Sequence, residues 1–294
     1  MQASILIVSK NRKKDLLKTL KIIDSLIDKS QVEVLVFLDG CTDNSETLLC
    51  EMGWVRWFVS PKSIGASAAR HQIYPLAKAE ILIGLDDDAH PLNKDFVTLT
   101  EILFQDNPHV AVLAFEEVKG VFASDSLAIK QSEKTFKQFL CADFIGCGFA
   151  IRKEVYDLTR GFPVWIDIYG EESCVAIEVM ANGFDILYSN TIKVNHRVDK
   201  EARKNAGQNY FRFGRQLKNT TYYFLVYYPF PCYAVLKLYW HNFQKYALLD
   251  WEFFKTYFKT IFIVLINIPR ILKYRNPVDG NLILKMRQLS ALKF

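Results

Sequence analysis

The sequence of 294 residues is poor in the features that would name a function at once. Neither GxxxxGK[ST] nor GxGxxG follows its first apolar run, which argues against a P-loop ATPase and a Rossmann dehydrogenase. There is no GxSxG elbow, so the common hydrolase reading has no nucleophile to start from. The six cysteines (Cys41, Cys50, Cys141, Cys147, Cys174 and Cys232) form no CxxC pair and no dense framework. In a chain of this length they read as reduced thiols, several of them buried. No stretch reaches the roughly 18 uninterrupted apolar residues that a membrane span needs. Tyr222–Trp240 is broken by Pro229 and Pro231, and Thr260–Ile268 is too short. Met1 to Lys10 lacks the charged start, long apolar stretch and small-residue cleavage site of a signal peptide, and reads as a β-strand. These absences together lead to the expectation of a cytoplasmic protein, with one end facing a membrane.

Acidic residues are scarce in one part of the chain only. Residues 1–196 carry 20 Lys/Arg against 27 Asp/Glu, whereas residues 197–294 carry 17 against 5. The same C-terminal third holds 22 of the 41 aromatic residues. Two parts with different surroundings follow. With half of all residues hydrophobic and 23% charged, intrinsic disorder is excluded and a sizeable core is expected.

The first 115 residues alternate strand-like and helix-like runs. Strands are predicted at Ser4–Val8, Val32–Leu38, Val55–Val59 and Ile81–Leu85. Leu16, Leu17, Leu20, Ile23 and Leu26 recur at helical spacing, Thr42–Ser45 offers a helix start, and Ala66–Ala77 reads as a third helix. This rhythm predicts an α/β fold, a mostly parallel central sheet flanked by helices. Further strands are expected near Val110–Glu116 and Phe149–Ile151, then a helix over Glu171–Asn182 closed by Gly183. Two short strands, Ile186–Tyr188 and Ile192–Val194, precede basic, aromatic helices from about Arg197.

Open parallel sheets bind ligands beyond the carboxyl ends of their strands. Two acidic groups fall there: Asp39 after the second strand, and Asp86-Asp87-Asp88 after the fourth. Three adjacent carboxylates repel one another, so the run points either to a cation or to a solvated turn. Their hard oxygens suit Mg²⁺ or Mn²⁺ held jointly with substrate phosphates.

These residues resemble family 2 glycosyltransferases. Asp39-Gly40-Cys41-Thr42-Asp43-Asn44-Ser45 is similar to the family's D-G-S-T-D segment, and Gly65-Ala66-Ser67-Ala68-Ala69-Arg70 to its G-x-x-x-A-R-N helix. Leu85-Asp86-Asp87-Asp88 resembles its D-x-D. Gly148–Val155 and Gly161-Phe162 follow the acceptor-side pattern before a G-G-F, and Tyr169-Gly170-Glu171-Glu172 stands where the family has an E-D pair. The resemblance covers about residues 3–196. It implies a GT-A, Rossmann-like catalytic domain over 1–196, with a nucleotide-sugar half of about 1–90 and an acceptor half of about 91–196. Residues 197–294 would form a helical C-terminal region.

The implied activity is inverting transfer of a hexosyl or deoxyhexosyl group from a nucleotide diphosphate-sugar. Asp39 would meet the base, Arg70 would lie near the phosphates or the acidic group, and Asp86 with Asp87 would bind the nucleotide-sugar. Asp88 and His196 would hold Mn²⁺ or Mg²⁺, which offsets charge on the departing diphosphate. Glu172 is the expected base for the acceptor hydroxyl, with Glu171 in reserve. Glu replaces the family's Asp here, and Glu178 stands where an Arg is frequent. His71 and His90 match no family role. No Q-x-x-R-W motif occurs over residues 173–260, so single addition rather than polymerisation is implied. A nucleotidyltransferase and a non-catalytic saccharide-binding protein are the rival readings.

Tyr210-Phe211-x-Phe213-Gly214-Arg215-x-x-Lys218-Asn219 through Tyr228-Pro229 is similar to the tail of bacterial enzymes acting on lipid-linked saccharides. Phe258, Ile261, Phe262 and Leu265 form one apolar helical stripe beside Lys255, Lys259, Arg270 and Lys273. The residues leave open a peripheral membrane surface, packing on the catalytic domain, or a second subunit. Basic charge with aromatics also permits nucleic acid. No recognised motif supports it, and the acidic half would repel phosphates. The implied setting is cell-surface polysaccharide synthesis at the inner membrane face, with a saccharide or lipid-linked saccharide as acceptor.

Overall fold

A computed structural model describes residues 1–198 and 208–292. Four parallel strands lie in the order β3 (Arg56–Ser60), β2 (Val32–Asp39), β1 (Ala3–Ser9), β4 (Ile81–Asp86). β1 is buried on both faces, which is why its sequence is a continuous apolar run rather than an alternating one. Ile5 and Ile7 face Leu16, Leu20 and Ile23 of α1 (Lys13–Leu26) in one core. Leu6 faces Ala69 and Ile73 of α3 (Ala66–Ile73) in the other, together with Val175 and Val179 of α7 (Glu171–Ala181).

Beyond β4 the sheet continues through β8 (Gly148–Arg152), β6 (Val110–Lys119) and β9 (Asp185–His196). β8 is antiparallel to both of its neighbours, and short β5 (Ala89–Pro91) and β7 (Gln138–Cys141) pair with β9. The predicted pair of short strands at 186–194 is one strand. Ser189, Asn190 and Thr191 read as a polar break, but the register against β6 slips there, from Phe115↔Ser189 to Glu116↔Lys193. The interruption is a bulge. The third helix ends at Ile73 and tightens into a 3₁₀ turn over Tyr74–Leu76, where Pro75 cannot continue the α-helical ladder. The start signal at 42–45 opens only a 3₁₀ turn, Ser45–Thr47, and the one-turn α2 (Leu48–Glu51). Helices α4 (Phe96–Asp106), α5 (Asp125–Gln131) and α6 (Lys153–Tyr156) complete this part. Cys141, Cys147 and Cys174 are buried, and all six cysteines are free.

The C-terminal part consists of α8 (Gln208–Tyr227), α9 (Pro231–Asn242), α10 (Trp251–Leu272) and α11 (Gly280–Gln288). Residues 199–207 and 293–294 of the expected C-terminal region lie outside the described residues. Tyr222, Val226 and Tyr227 of α8, Val264 and Ile271 of α10 and Ile283 of α11 share a core with Trp165, Ile166, Cys174 and Ile177. Gly214 brings α8 against Thr256 and Thr260 of α10. Glu178 explains its own departure from the family pattern. Its buried carboxylate accepts from Arg160 Nε at 2.7 Å and from the Tyr227 hydroxyl at 2.6 Å, tying α7 to α8.

Candidate active site

Because β1 lies between β2 and β4, the chain reverses direction across the sheet at the β1–β4 boundary, where open sheets form a crevice at their carboxyl edge. β1, β2 and β4 all end there. Asp39 closes β2 and is buried, and its carboxylate accepts from Ser63 Oγ (2.7 Å), Ile64 N (2.6 Å) and Gly65 N (3.0 Å). It thereby fastens the loop that leads into α3. Arg70, on the buried face of α3, reaches the acidic edge of the crevice.

The guanidinium of Arg70 joins residues far apart in the chain. It donates to Asp86 Oδ1 at 2.9 Å, to Glu172 Oε1 at 2.9 Å and, less closely, to Glu171 Oε1 at 3.4 Å. Arg70 thus lies against the acidic group. A Cβ at Gly146 would run into Glu172 Oε1 and meet Arg70 Nη2 at 2.8 Å, so a side chain there would displace the ends of both. The two glutamates differ in access. The Glu172 side chain is 17% exposed and Glu171 only 4%. Glu171 Oε2 is buried with no hydrogen-bond partner. Burial and the neighbouring Glu172 push the Glu171 carboxyl up to about 8, against the pull of Arg70.

Asp86, Asp87 and Asp88 diverge. Asp86 is partly exposed toward the crevice. Asp87 turns inward, accepting from Ser9 Oγ at 2.7 Å and pairing with Arg12 Nη1 at 2.9 Å. Burial pushes its carboxyl up to about 7, although Arg12 opposes the shift. Asp88 is buried, with Arg12 Nη2 2.7 Å from one oxygen and His196 Nε2 3.2 Å from the other. Burial works to raise its carboxyl, but His196 and Arg12 outweigh that and hold it well below the ordinary range.

His196, the last residue of β9, faces Glu117 Oε1 through Nδ1 at 2.5 Å. Burial opposes its imidazolium, yet Asp88, Cys147 and Glu117 push the ring up to about 12. Ligand atoms of Asp86, Asp88 and His196 lie within 4.8 Å of one another. Hard carboxylate oxygens with one imidazole fit a divalent ion such as Mn²⁺ or Mg²⁺. An ion would therefore compete with the ring proton, as expected where binding requires neutral imidazole.

The structure thus gathers Arg70, Asp86, Asp88, Glu171, Glu172 and His196 around one crevice. Asp39 stands at its β2 side and Asp87 beneath it. Arg12 and Glu117 were not singled out from sequence. Arg12 stands just past the end of β1, at the same carboxyl edge that drew attention to Asp39 and Asp86, so that rule applied to β1 would have found it. Glu117 has no such local signal, because only the β6–β9 pairing brings it to His196. His90 is structural: it is buried between Asp125 Oδ1 at 3.1 Å and Arg197 Nη1 at 2.6 Å. His71 faces the carbonyl of Phe162 at 2.9 Å.

Residues 4–159 match the sequence model of Glycosyl transferase family 2. No curated protein matches the sequence. Among solved structures, S. aureus TarS (residues 1–349) is similar with a TM-score of 0.60 at 11% identity, over 94% of this chain and 83% of that one. A mannosyltransferase from Pyrobaculum calidifontis, in complex with GDP-Man and Mn²⁺, gives a TM-score of 0.58 at 14% identity, covering 97% of this chain and 83% of its own. GalNAc-T7 with UDP, GalNAc and Mn²⁺ gives 0.54 at 15% identity over 68% of this chain, which spans only 43% of the GalNAc-T7 chain. At these identities the likeness is one of fold, a GT-A sheet with its helices.

Proposed function

This chain belongs to glycosyl transferase family 2, and on that premise we propose that it is a metal-dependent, inverting enzyme that adds one sugar at a time. The donor would be a nucleotide diphosphate-sugar and the acceptor a saccharide or lipid-linked saccharide. The proposed setting is cell-surface polysaccharide synthesis, with the protein peripheral on the inner membrane face through its C-terminal helices. One observation carries the reading: Arg70 bonds Asp86, from the donor edge of the sheet, and Glu172, from the acceptor half, in a single cluster. Donor and acceptor chemistry would therefore share one crevice.

Asp86, Asp88 and His196 would hold the divalent ion, which supplies Lewis-acid stabilisation of the diphosphate as it departs. Asp39, by holding the 63–65 backbone, would shape the wall that receives the base. Glu172, the more accessible glutamate, would take the acceptor hydroxyl proton as that oxygen attacks the anomeric carbon and the bond to the diphosphate breaks. Attack from the face opposite the leaving group inverts the centre. Arg70 would keep Glu172 aimed, while buried Glu171 supports the cluster.

Release of nucleoside diphosphate from UDP-, dTDP- and GDP-sugars with Mn²⁺ and saccharide acceptors tests this reading. Glu172→Gln should lower turnover at least about a hundredfold, as loss of a general base does, while donor affinity stays within about twofold. Turnover that survives the substitution would remove Glu172 from the base role.

A further inference from the structure

We propose that Asn219 of α8 is a positioning residue for the Glu171–Glu172 pair, an inference that rests on Glu172 being the base. The segment before that pair is conformationally costly. Tyr169 has φ of 71° and Gly170 has φ of 93°, two successive left-handed residues at the entry to α7. A bulky residue in that region needs to be held there. No side chain caps this helix start, so no N-cap residue holds the turn.

Asn219 does. It is 1% exposed, and its amide nitrogen donates to the Ile168 carbonyl at 2.7 Å and to the Tyr169 carbonyl at 2.8 Å. Both N–H bonds of the amide are thus used on two adjacent carbonyls. Its own oxygen is buried with no hydrogen-bond partner. The reversed amide would set that oxygen against the two carbonyls, so the orientation is dictated by the loop. The rest of the same helix reinforces the grip. Arg215 and Lys218 pair with Asp167, and the Arg212 guanidinium lies 5.2 Å from the centre of the Tyr169 ring. The Asp167 carbonyl in turn accepts from Ser67 N at 3.2 Å, in the first turn of the helix that carries Arg70.

One helix therefore fixes the loop that aims the base and, through Asp167, is linked to the start of the helix that carries the base's partner. α8 lies wholly outside residues 4–159, the part matched by the family. A shift of about 1 Å in a reacting group can cost about a hundredfold in rate. Releasing Tyr169 and Gly170 would allow a shift of that size at Glu172, whose bond to Arg70 is 2.9 Å long.

The test uses the full chain with Asn219→Ala, the isosteric Asn219→Asp, and Asn219→Gln, which keeps the donors. Two quantities are read: steady-state release of nucleoside diphosphate, and deuterium uptake over residues 168–173. We expect kcat to fall about tenfold to a hundredfold for Ala and Asp, with donor affinity within about twofold. Uptake over 168–173 should rise in both, and Gln should recover part of each loss. A merely structural Asn219 would lower the melting temperature and leave kcat unchanged, and that result overturns the proposal. If the wild type turns over no donor, the proposed function fails; deuterium uptake then decides the Asn219 proposal alone, unchanged uptake overturning it. If the Ala variant does not fold, the isosteric Asp variant supplies the same readings.

Discussion

At the scale of single residues, the crevice is a problem in charge compensation. Asp86, Glu171 and Glu172 share one buried arginine, and Asp87 and Asp88 share Arg12. More carboxylates than guanidinium groups are present, and burial raises the carboxyls of Glu171 and Asp87 above the ordinary range. Glu171 is the clearest case: its folded value of about 8 stands well above the ordinary 4.5. A raised carboxyl contributes stability that is complete below its unfolded value and is lost as pH rises through the folded value. Folding stability, and the melting temperature with it, should therefore decline between about pH 5 and about pH 8, the free energy by up to about 1.4 kcal/mol per pH unit from this group. Glu171→Gln, which mimics the protonated form, should flatten that decline. Thermal melts of both proteins across this range check it, and parallel curves would show that Glu171 is ionised in the folded protein.

At the scale of elements, the C-terminal helices do two things with their two faces. α10 buries Tyr257, Thr260, Val264 and Ile271 and leaves Phe258, Phe262, Leu265 and Ile266 outside. α9 exposes Tyr233, Leu236 and Trp240, preceded by Phe230 at 87% exposure, and the connection to α10 exposes Leu248 and Leu249. Lys237, Lys245, Lys255, Lys259 and Arg270 are exposed on the same helices and connection. No described helix is long and apolar enough to cross a membrane. Apolar and aromatic side chains beside lysines suit the interface of an anionic bilayer. The full chain should sediment with phosphatidylglycerol vesicles and not with phosphatidylcholine alone, and added salt should weaken the binding. Phe262→Ser with Trp240→Ser should reduce partitioning at least about tenfold, given about 1.5–3 kcal/mol per buried large apolar side chain. Equal binding to neutral vesicles, or none to anionic ones, would count against this assignment. The stripe of Phe258, Ile261, Phe262 and Leu265 was legible from helical spacing, but spacing does not say which way it faces, and Ile261 packs inward against the core that holds Phe213 and Tyr257. The facing is decided by Gly214, where α8 approaches α10 closely enough to cover the Thr256–Thr260 side.

At the scale of the whole molecule, the sheet brings together residues that the chain spreads from Arg12 to His196. Apolar runs ending in acidic residues made the parallel half of the sheet and its carboxyl edge legible, because a strand buried on both faces leaves a plain signature. The antiparallel half was harder to read. Its strands are short or bulged, and the contacts that complete the site, Glu117 with His196 and Asn219 with residues 168–169, depend on pairings and packing that no local pattern encodes. The measurement that bears most directly on the whole account is calorimetric titration of nucleotide diphosphate-sugars into wild type and Asp88→Ala, each with Mn²⁺ and with chelator. The account predicts binding of one nucleotide class to the wild type that requires the divalent ion and is lost in Asp88→Ala. Binding of equal strength with chelator, or unchanged in the variant, would contradict the assignment of Asp86, Asp88 and His196 as the metal site.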